Sequence, residues 1–290
     1  MRTRHWHSWI LAALLVGTGC DKKTDATTDA KTTDGKTADG KTGDAKTGDA
    51  AKDPGEVLPD AEGILAKAVE AVGGKDKLAS ITSFHLTGKL VVSGQNITGD
   101  LELWWKDGDF YTEQKMVGIG EIRAGKQGKR IWSEDPINGR RELGGLEAEQ
   151  HTWASSLLLA ADWKRYFTKA ETIGKREKDG KTLYDVKLQS DSGAEVELTF
   201  DAESGLQVAQ KFQQDTPLGK MPVSVEMQDY RDVDGLKLPF KQVTDASLAE
   251  ATQEVTSIEF NVPVDTSKFA MPTGGAEVVE GKTPPPDNAG

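Results

Sequence analysis

The sequence predicts a mainly β (α+β) fold. The expected object is a strongly curved antiparallel sheet of about ten or eleven strands, forming an unclosed half-barrel with helices over its concave face. Three observations predict it. Apolar and polar residues alternate with a period of two in runs spread over residues 86–240, the spacing that buries one side of a strand. Turn signals separate the runs at Asp107-Gly108, Asp179-Gly180, Ser204-Gly205 and Asp234-Gly235, as hairpins require. Two segments switch to helical spacing and can cover the sheet. A long meander with one apolar face must curl and be covered, or it would expose a large apolar surface.

In chain order, residues 1–19 read as a signal peptide. Arg2 and Arg4 open it, Ile10 to Val16 is a short apolar run, and Gly17, Thr18 and Gly19 lead to Cys20, the only cysteine. The run is far below the ~20 residues that span a bilayer. Small residues directly before a sole Cys resemble a bacterial lipobox, with Gly17 where Leu is usual. That resemblance implies cleavage before Cys20 and acylation of its thiol. The product is a lipoprotein of the cell envelope, anchored through Cys20 and facing the periplasm. Plain secretion with an unmodified Cys20 is the alternative. Stable anchoring takes more than one acyl chain, at ~0.8 kcal/mol per buried CH₂. The outer membrane is the favoured side. The inner membrane stays open because Asp21 follows the Cys, a residue that retains lipoproteins there in enterobacteria.

Residues 20–56 form the lipidated Cys and a low-complexity tether of Lys, Thr, Asp, Gly and Ala, including the pentads KTTDG, KTADG, KTGDA and KTGDA. Such a composition buries no core and is expected to be disordered. A chain of this kind has a mean span of roughly 30–35 Å. Gly35 to Thr42 matches the phosphate-loop pattern letter for letter. That chemistry needs a rigid loop between a strand and a helix, and the pentad repeat supplies neither. Residues 57–272 have the composition of one globular domain, and 273–290, with three consecutive prolines, read as a disordered tail.

Within the domain, Pro59 precedes Ile64, Leu65, Ala68, Val69 and Val72, apolar positions at 3.6 spacing that stop at Gly73-Gly74. Proline before and glycine after mark a short amphipathic helix. Strands follow: Leu86, Gly88, Leu90 and Val92, then Leu101, Leu103 and Trp105 opposite Asp100, Glu102 and Trp104. The later runs are Tyr184/Val186/Leu188, Val196/Leu198/Phe200, Val223/Val225/Met227 and Leu236/Leu238/Phe240. Between the two sets, Leu146 to Phe167 predicts one helix that is apolar over most of its surface, and so buried.

Composition excludes much. With 36 basic against 47 acidic residues the net charge is −11, which argues against nucleic-acid binding. One Cys and four scattered His exclude a disulfide framework and leave no Cys- or His-based metal site. No hydrolase motif is present. The cluster Asp229-Tyr230-Arg231-Asp232 reads as turn chemistry with a local ion pair. No enzymatic activity, catalytic residue, metal or cofactor is expected.

The chain resembles the LolA/LolB-like lipoprotein-carrier superfamily, which includes outer-membrane lipoprotein-sorting proteins. The resemblance is carried by Ala68-Val-Glu-Ala71-Val-Gly73-Gly74, by Asp229 to Phe240 (DYRDVDGLKLPF) and by Phe269-Ala-Met-Pro272. It implies an unclosed β-barrel with a helical lid that holds acyl chains, and hence a lipid or an acylated protein as ligand. The implied role is lipoprotein or lipid sorting and transfer. The alternative is a periplasmic sensor or scaffold that uses the same fold to bind a protein partner. An acyl chain of ~15 methylenes leaving water gains on the order of 12 kcal/mol before ordering costs. The candidate lining is Leu90, Val92, Leu101, Leu103, Trp105, Leu198, Phe200, Val225 and Met227, with Trp153, Leu157, Leu158 and Trp163 as lid. The other use of these residues is to pack against one another as a dry core, the commoner fate of such side chains taken singly.

Overall fold

A computed structural model describes residues 57–216, 219–246 and 249–273. The stretches expected to be signal peptide and tether (1–56, with Cys20) and tail (274–290) lie outside the described residues.

Among the described residues, thirteen strands make one antiparallel sheet. The first set is β1 (Ser83–Val92), β2 (Ile97–Lys106), β3 (Asp109–Met116), β4 (Gly120–Gln127), β5 (Arg130–Asp135) and β6 (Gly139–Glu142). The second is β7 (Lys169–Lys178), β8 (Lys181–Gln189), β9 (Glu195–Asp201), β10 (Gln207–Thr216), β11 (Gly219–Val233), β12 (Leu236–Asp245) and β13 (Glu250–Phe260). Each set is a meander, and β1 pairs with β13 to join them. The edges β6 and β7 stay apart, so the half-barrel is unclosed. The count exceeds the ten or eleven expected because β4 to β6 are polar; β6 is Gly-Arg-Arg-Glu and shows no apolar alternation.

This topology decides where the helices go. After β6 the chain must cross from one edge of the sheet to the other before β7 can start. It crosses over the inner face as α3 (Gly145–Ala154) and α4 (Leu159–Tyr166). One continuous helix was the expectation for this stretch. The break lies at Ser155–Leu158, where the Ser155 hydroxyl donates to the Thr152 carbonyl at 2.8 Å and Leu158 turns to an extended φ of −148°. Serine side chains offer the backbone such local alternatives to helix.

The first helix, α1 (Ala61–Val72), starts at Asp60, whose carboxylate accepts from the Gly63 N–H at 3.0 Å, and ends at Gly73 with φ 135°. Its Ile64, Leu65, Ala68 and Val72 are buried against the inner face. A short α2 (Lys75–Ala79) leads into β1. Strand alternation follows the sequence: Leu86, Leu90 and Val92 face inward while Lys89 and Val91 are exposed. Burying each such side chain contributes about 1.5–3 kcal/mol.

The outer face of β3 to β5 is covered as well. Residues 262–273 run across it as a strap: Ser83 donates to the Val262 carbonyl at 2.6 Å, and Arg140 reaches the Pro272 carbonyl at 2.9 Å. Midway, the 3-10 turn Thr266–Phe269 drops Phe269, fully buried, beside Trp132. The Trp132 indole N–H donates to the Phe269 carbonyl at 2.9 Å. Trp132 can lie flat there because its cross-strand partner is Gly125, where a Cβ would sit 2.6 Å from the indole nitrogen.

Candidate functional site

The inner wall is built from the alternate residues of β1, β2, β8, β9 and β12, and the cover from α1, α3, α4 and the Leu157-Leu158 linker. Eleven of the thirteen candidate lining and lid residues belong to this one buried cluster: Leu90, Val92, Leu101, Leu103, Trp105, Leu198, Phe200, Trp153, Leu157, Leu158 and Trp163. Met227 packs against it half-buried. Val225 lies apart, in a small cluster with Val223 and Ala246 that shares Phe212. With the cover down, these side chains fill the interior against one another.

Space remains beside them. One cavity, about 560 Å³ and half-open, is bounded by Leu146 and Gln150 of α3, by Val196, Phe212 and Val223 at the ends of β9 to β11, and by the charged Glu195, Glu197, Lys211, Asp215, Lys220 and Asp245. A second, about 440 Å³, is bounded by Ala148, Thr152 and Trp153 of α3, by Phe167 and by Ile131 near the open edge. Both fall in the size range of small-molecule sites. Helix α3 is the partition between them. It is pinned by Trp153, which meets Phe212 edge-on at 5.1 Å and Phe167 at 6.1 Å. Gln150 reaches the β10 backbone, and Arg141 pairs with Glu147. Burial, opposed by Glu147, pulls the His151 imidazole on the same helix down to about 4. That ring stays neutral where histidine ordinarily titrates.

A third, small cavity of about 30 Å³ lies under the linker, bounded by Leu157, Leu158, Gln207, Gln210, Met227 and Tyr230 among others. It belongs to a feature that apolar periodicity does not register. Among the described residues, seven glutamines are buried, including Gln114, Gln210, Gln214, Gln242 and Gln253 within strands. Gln242 and Gln253 are direct cross-strand partners. Tyr230 donates to the Gln207 carbonyl at 2.5 Å, and burial pushes its hydroxyl far above the usual phenol range.

The remaining polar candidates have local partners. His85 stacks on Trp104 at 3.6 Å and pairs with Glu102 at 3.0 Å, with Lys268 of the strap above the indole. Asp229, with φ 53° inside β11, is ion-paired to Arg231, while Asp234-Gly235 forms the turn. Among the described residues, no three His, Cys, Asp or Glu side chains gather as a metal site requires, and no helix is long and apolar enough to cross a membrane.

No protein-family model matches the sequence, and no curated protein does. Solved structures do. A LolA superfamily protein from Nitrosomonas europaea superposes with a TM-score of 0.51 over 73% of this chain and 98% of that one, at 12% identity. The two chains share one fold. A DUF1329 family protein from Desulfovibrio piger matches with a TM-score of 0.50 over 72% of this chain and 97% of its own, at 10% identity. The LolA-type frame makes the position of α3 and α4 a consequence of topology: they are the crossover between the two free edges, so the lid and the mouth of the half-barrel are one structural unit.

Proposed function

We propose that this protein binds an acyl chain of a lipid or of an acylated protein inside the half-barrel, as a lipoprotein held in the bacterial cell envelope through Cys20. The outer membrane, with the domain facing the periplasm, is the favoured site, and handing the ligand on in lipoprotein or lipid sorting is the role that fits an anchored binder. One observation carries the reading. The partition α3 separates two cavities of about 560 and 440 Å³ beside the apolar inner wall, and it is fastened by Gln150, Trp153, the Glu147–Arg141 pair and the Ser192 hydroxyl on Glu149. Lifting it joins the cavities and uncovers Leu198, Val196 and Phe212, giving a hydrocarbon tail an apolar lining. The binding is hydrophobic and asks for no catalytic group or cofactor.

The test is lipid analysis of the exported Cys20→Ser chain, which lacks its own anchor. Organic extraction followed by mass spectrometry is expected to return acyl lipid at close to one equivalent. Lipid-free protein that instead retains a stoichiometric periplasmic protein would replace this reading with the scaffold alternative.

A further inference from the structure

We infer that Gln210 is the polar recognition point of the half-barrel interior, selecting guests that carry a neutral acyl ester or amide carbonyl over bare hydrocarbons and free fatty acids. The inference rests on the acyl-binding reading above and adds the head-group class to it. Gln210 on β10 has no exposed surface, and its Nε2 has no hydrogen-bond partner among the described residues. A buried donor left unmatched costs on the order of 1–3 kcal/mol, so an unmatched amide in an apolar wall needs a reason.

The orientation of the amide is determined by its neighbour. Gln207 Nε2 lies 3.5 Å from the Ala209 carbonyl, an obligate acceptor, and 3.4 Å from Gln210 Oε1. Gln207 is therefore the donor of the pair, and Gln210 turns its own N–H₂ away from it. Gln210 lines the small cavity whose other walls include Leu157, Leu158, Met227 and Leu238. At about 30 Å³ the cavity accommodates a carbonyl group and little more. The tail runs in the space that Leu157 and Leu158 fill when the cover is down.

Charge excludes the anionic alternative. Asp201, on the outer face, is the only charged residue among the buried ones described. A carboxylate beside Gln210 would stay unpaired at high cost. Lys237, the one cation on the cavity wall, is exposed and would draw a carboxylate out to solvent. A carbonyl that only accepts matches a single amide donor without that penalty.

The experiment uses the Cys20→Ser chain and displacement of N-phenyl-1-naphthylamine by methyl laurate, tridecane and laurate. The wild type is expected to bind methyl laurate about fivefold more tightly than tridecane, as one hydrogen bond provides. In Gln210→Met, which keeps the volume and loses the amide, the two are expected to bind equally. Wild type that binds tridecane and methyl laurate equally overturns this inference while leaving acyl binding intact. Laurate outcompeting methyl laurate overturns it in favour of Lys237. Displacement by none of the three overturns both readings. Dilauroylglycerol and a dipalmitoyl-S-glyceryl-cysteine peptide then separate the two sources of such esters, a free lipid or an acylated protein. Displacement by either supports the inference and names the source.

Discussion

Gly73, at the end of α1, packs directly on the backbone carbonyl of Gly235, in the turn between β11 and β12. A Cβ on Gly73 would lie 2.4 Å from that oxygen and 2.9 Å from a Leu236 methyl, with φ at +135°. Two of the three stretches that carry the resemblance, joined by a contact 162 residues apart in the chain, are thus one junction between the first helix and the sheet. Gly73→Ala is expected to cost at least about 2 kcal/mol, from the strained φ and the backbone clash together. Thermal unfolding checks it, with Gly94→Ala as comparison. Gly94 also has positive φ but meets nothing within 4 Å, so it isolates the conformational part.

A second prediction concerns the strap. Phe269 is fully buried and its carbonyl receives the Trp132 indole N–H. Phe269→Ala is expected to destabilise by about 3–5 kcal/mol, as large aromatic truncations in well-packed sites do. Gly125→Ala acts on the same cluster from below by displacing Trp132, at about 1–3 kcal/mol. Since both changes disrupt one contact, their double mutant should fall short of the sum. Strict additivity in denaturant unfolding would show that the strap and Trp132 are energetically separate.

These two sites show what was legible in the sequence. The α1 pattern, the two-residue periods of β1, β2, β8, β9 and β12 and the Asp-Gly turns all stand where apolar alternation placed them, because those strands bury one face against helices. Strands β4 to β6 were not legible. Trp132 and Gly125 face a strap that arrives from more than 130 residues away, and no local period encodes that. The break between α3 and α4 was hidden by apolar Leu157 and Leu158, which suit an extended linker as well as a helix. Buried glutamines escaped for a plainer reason: glutamine is normally a surface residue, so a reading that scores apolarity counts Gln210 and Gln242 as outward-facing.

Acid stability is predicted from Asp201, a buried carboxylate at the end of β9. Burial acts to raise its pKa, but the Ser204 N–H, the Lys181 ammonium at 3.0 Å and the Glu203 N–H outweigh it and hold the carboxyl below its usual range. The folded state therefore binds fewer protons than the unfolded chain. This contribution is present above the unfolded pKa of about 3.9 and is lost as pH falls through the lower folded value. Asp201→Asn is expected to lose about 1–2 kcal/mol at pH 7, where the charge-assisted bonds are intact. The gap between variant and wild type should narrow as pH drops below about 4. A constant gap between pH 7 and pH 3 in chemical denaturation would remove Asp201 from the acid limb.

The last prediction returns to the partition. Gln150 in α3 donates to the Gln213 carbonyl at 2.5 Å and accepts from the Asp215 N–H at 2.8 Å. These β10 groups lie beyond Val196, where β9 stops pairing, so the Gln150 amide takes the place of a missing strand. A lid fastened this way is held by these two hydrogen bonds, the Trp153 contacts, the Glu147–Arg141 pair and the Ser192 hydroxyl on Glu149, while the sheet below it is held by whole ladders. Gln150→Leu strips both bonds and leaves two strand-edge groups unmatched, at about 1–3 kcal/mol. If α3 opens as a local unit, that loss appears as faster amide exchange in residues 146–154 with β1 and β2 unchanged. Naphthylamine uptake should rise in the same variant, because the closed state competes with the guest for the same wall. Faster exchange spread evenly over the sheet, without added uptake, would mean that α3 is a fixed part of the core and that the half-barrel opens elsewhere.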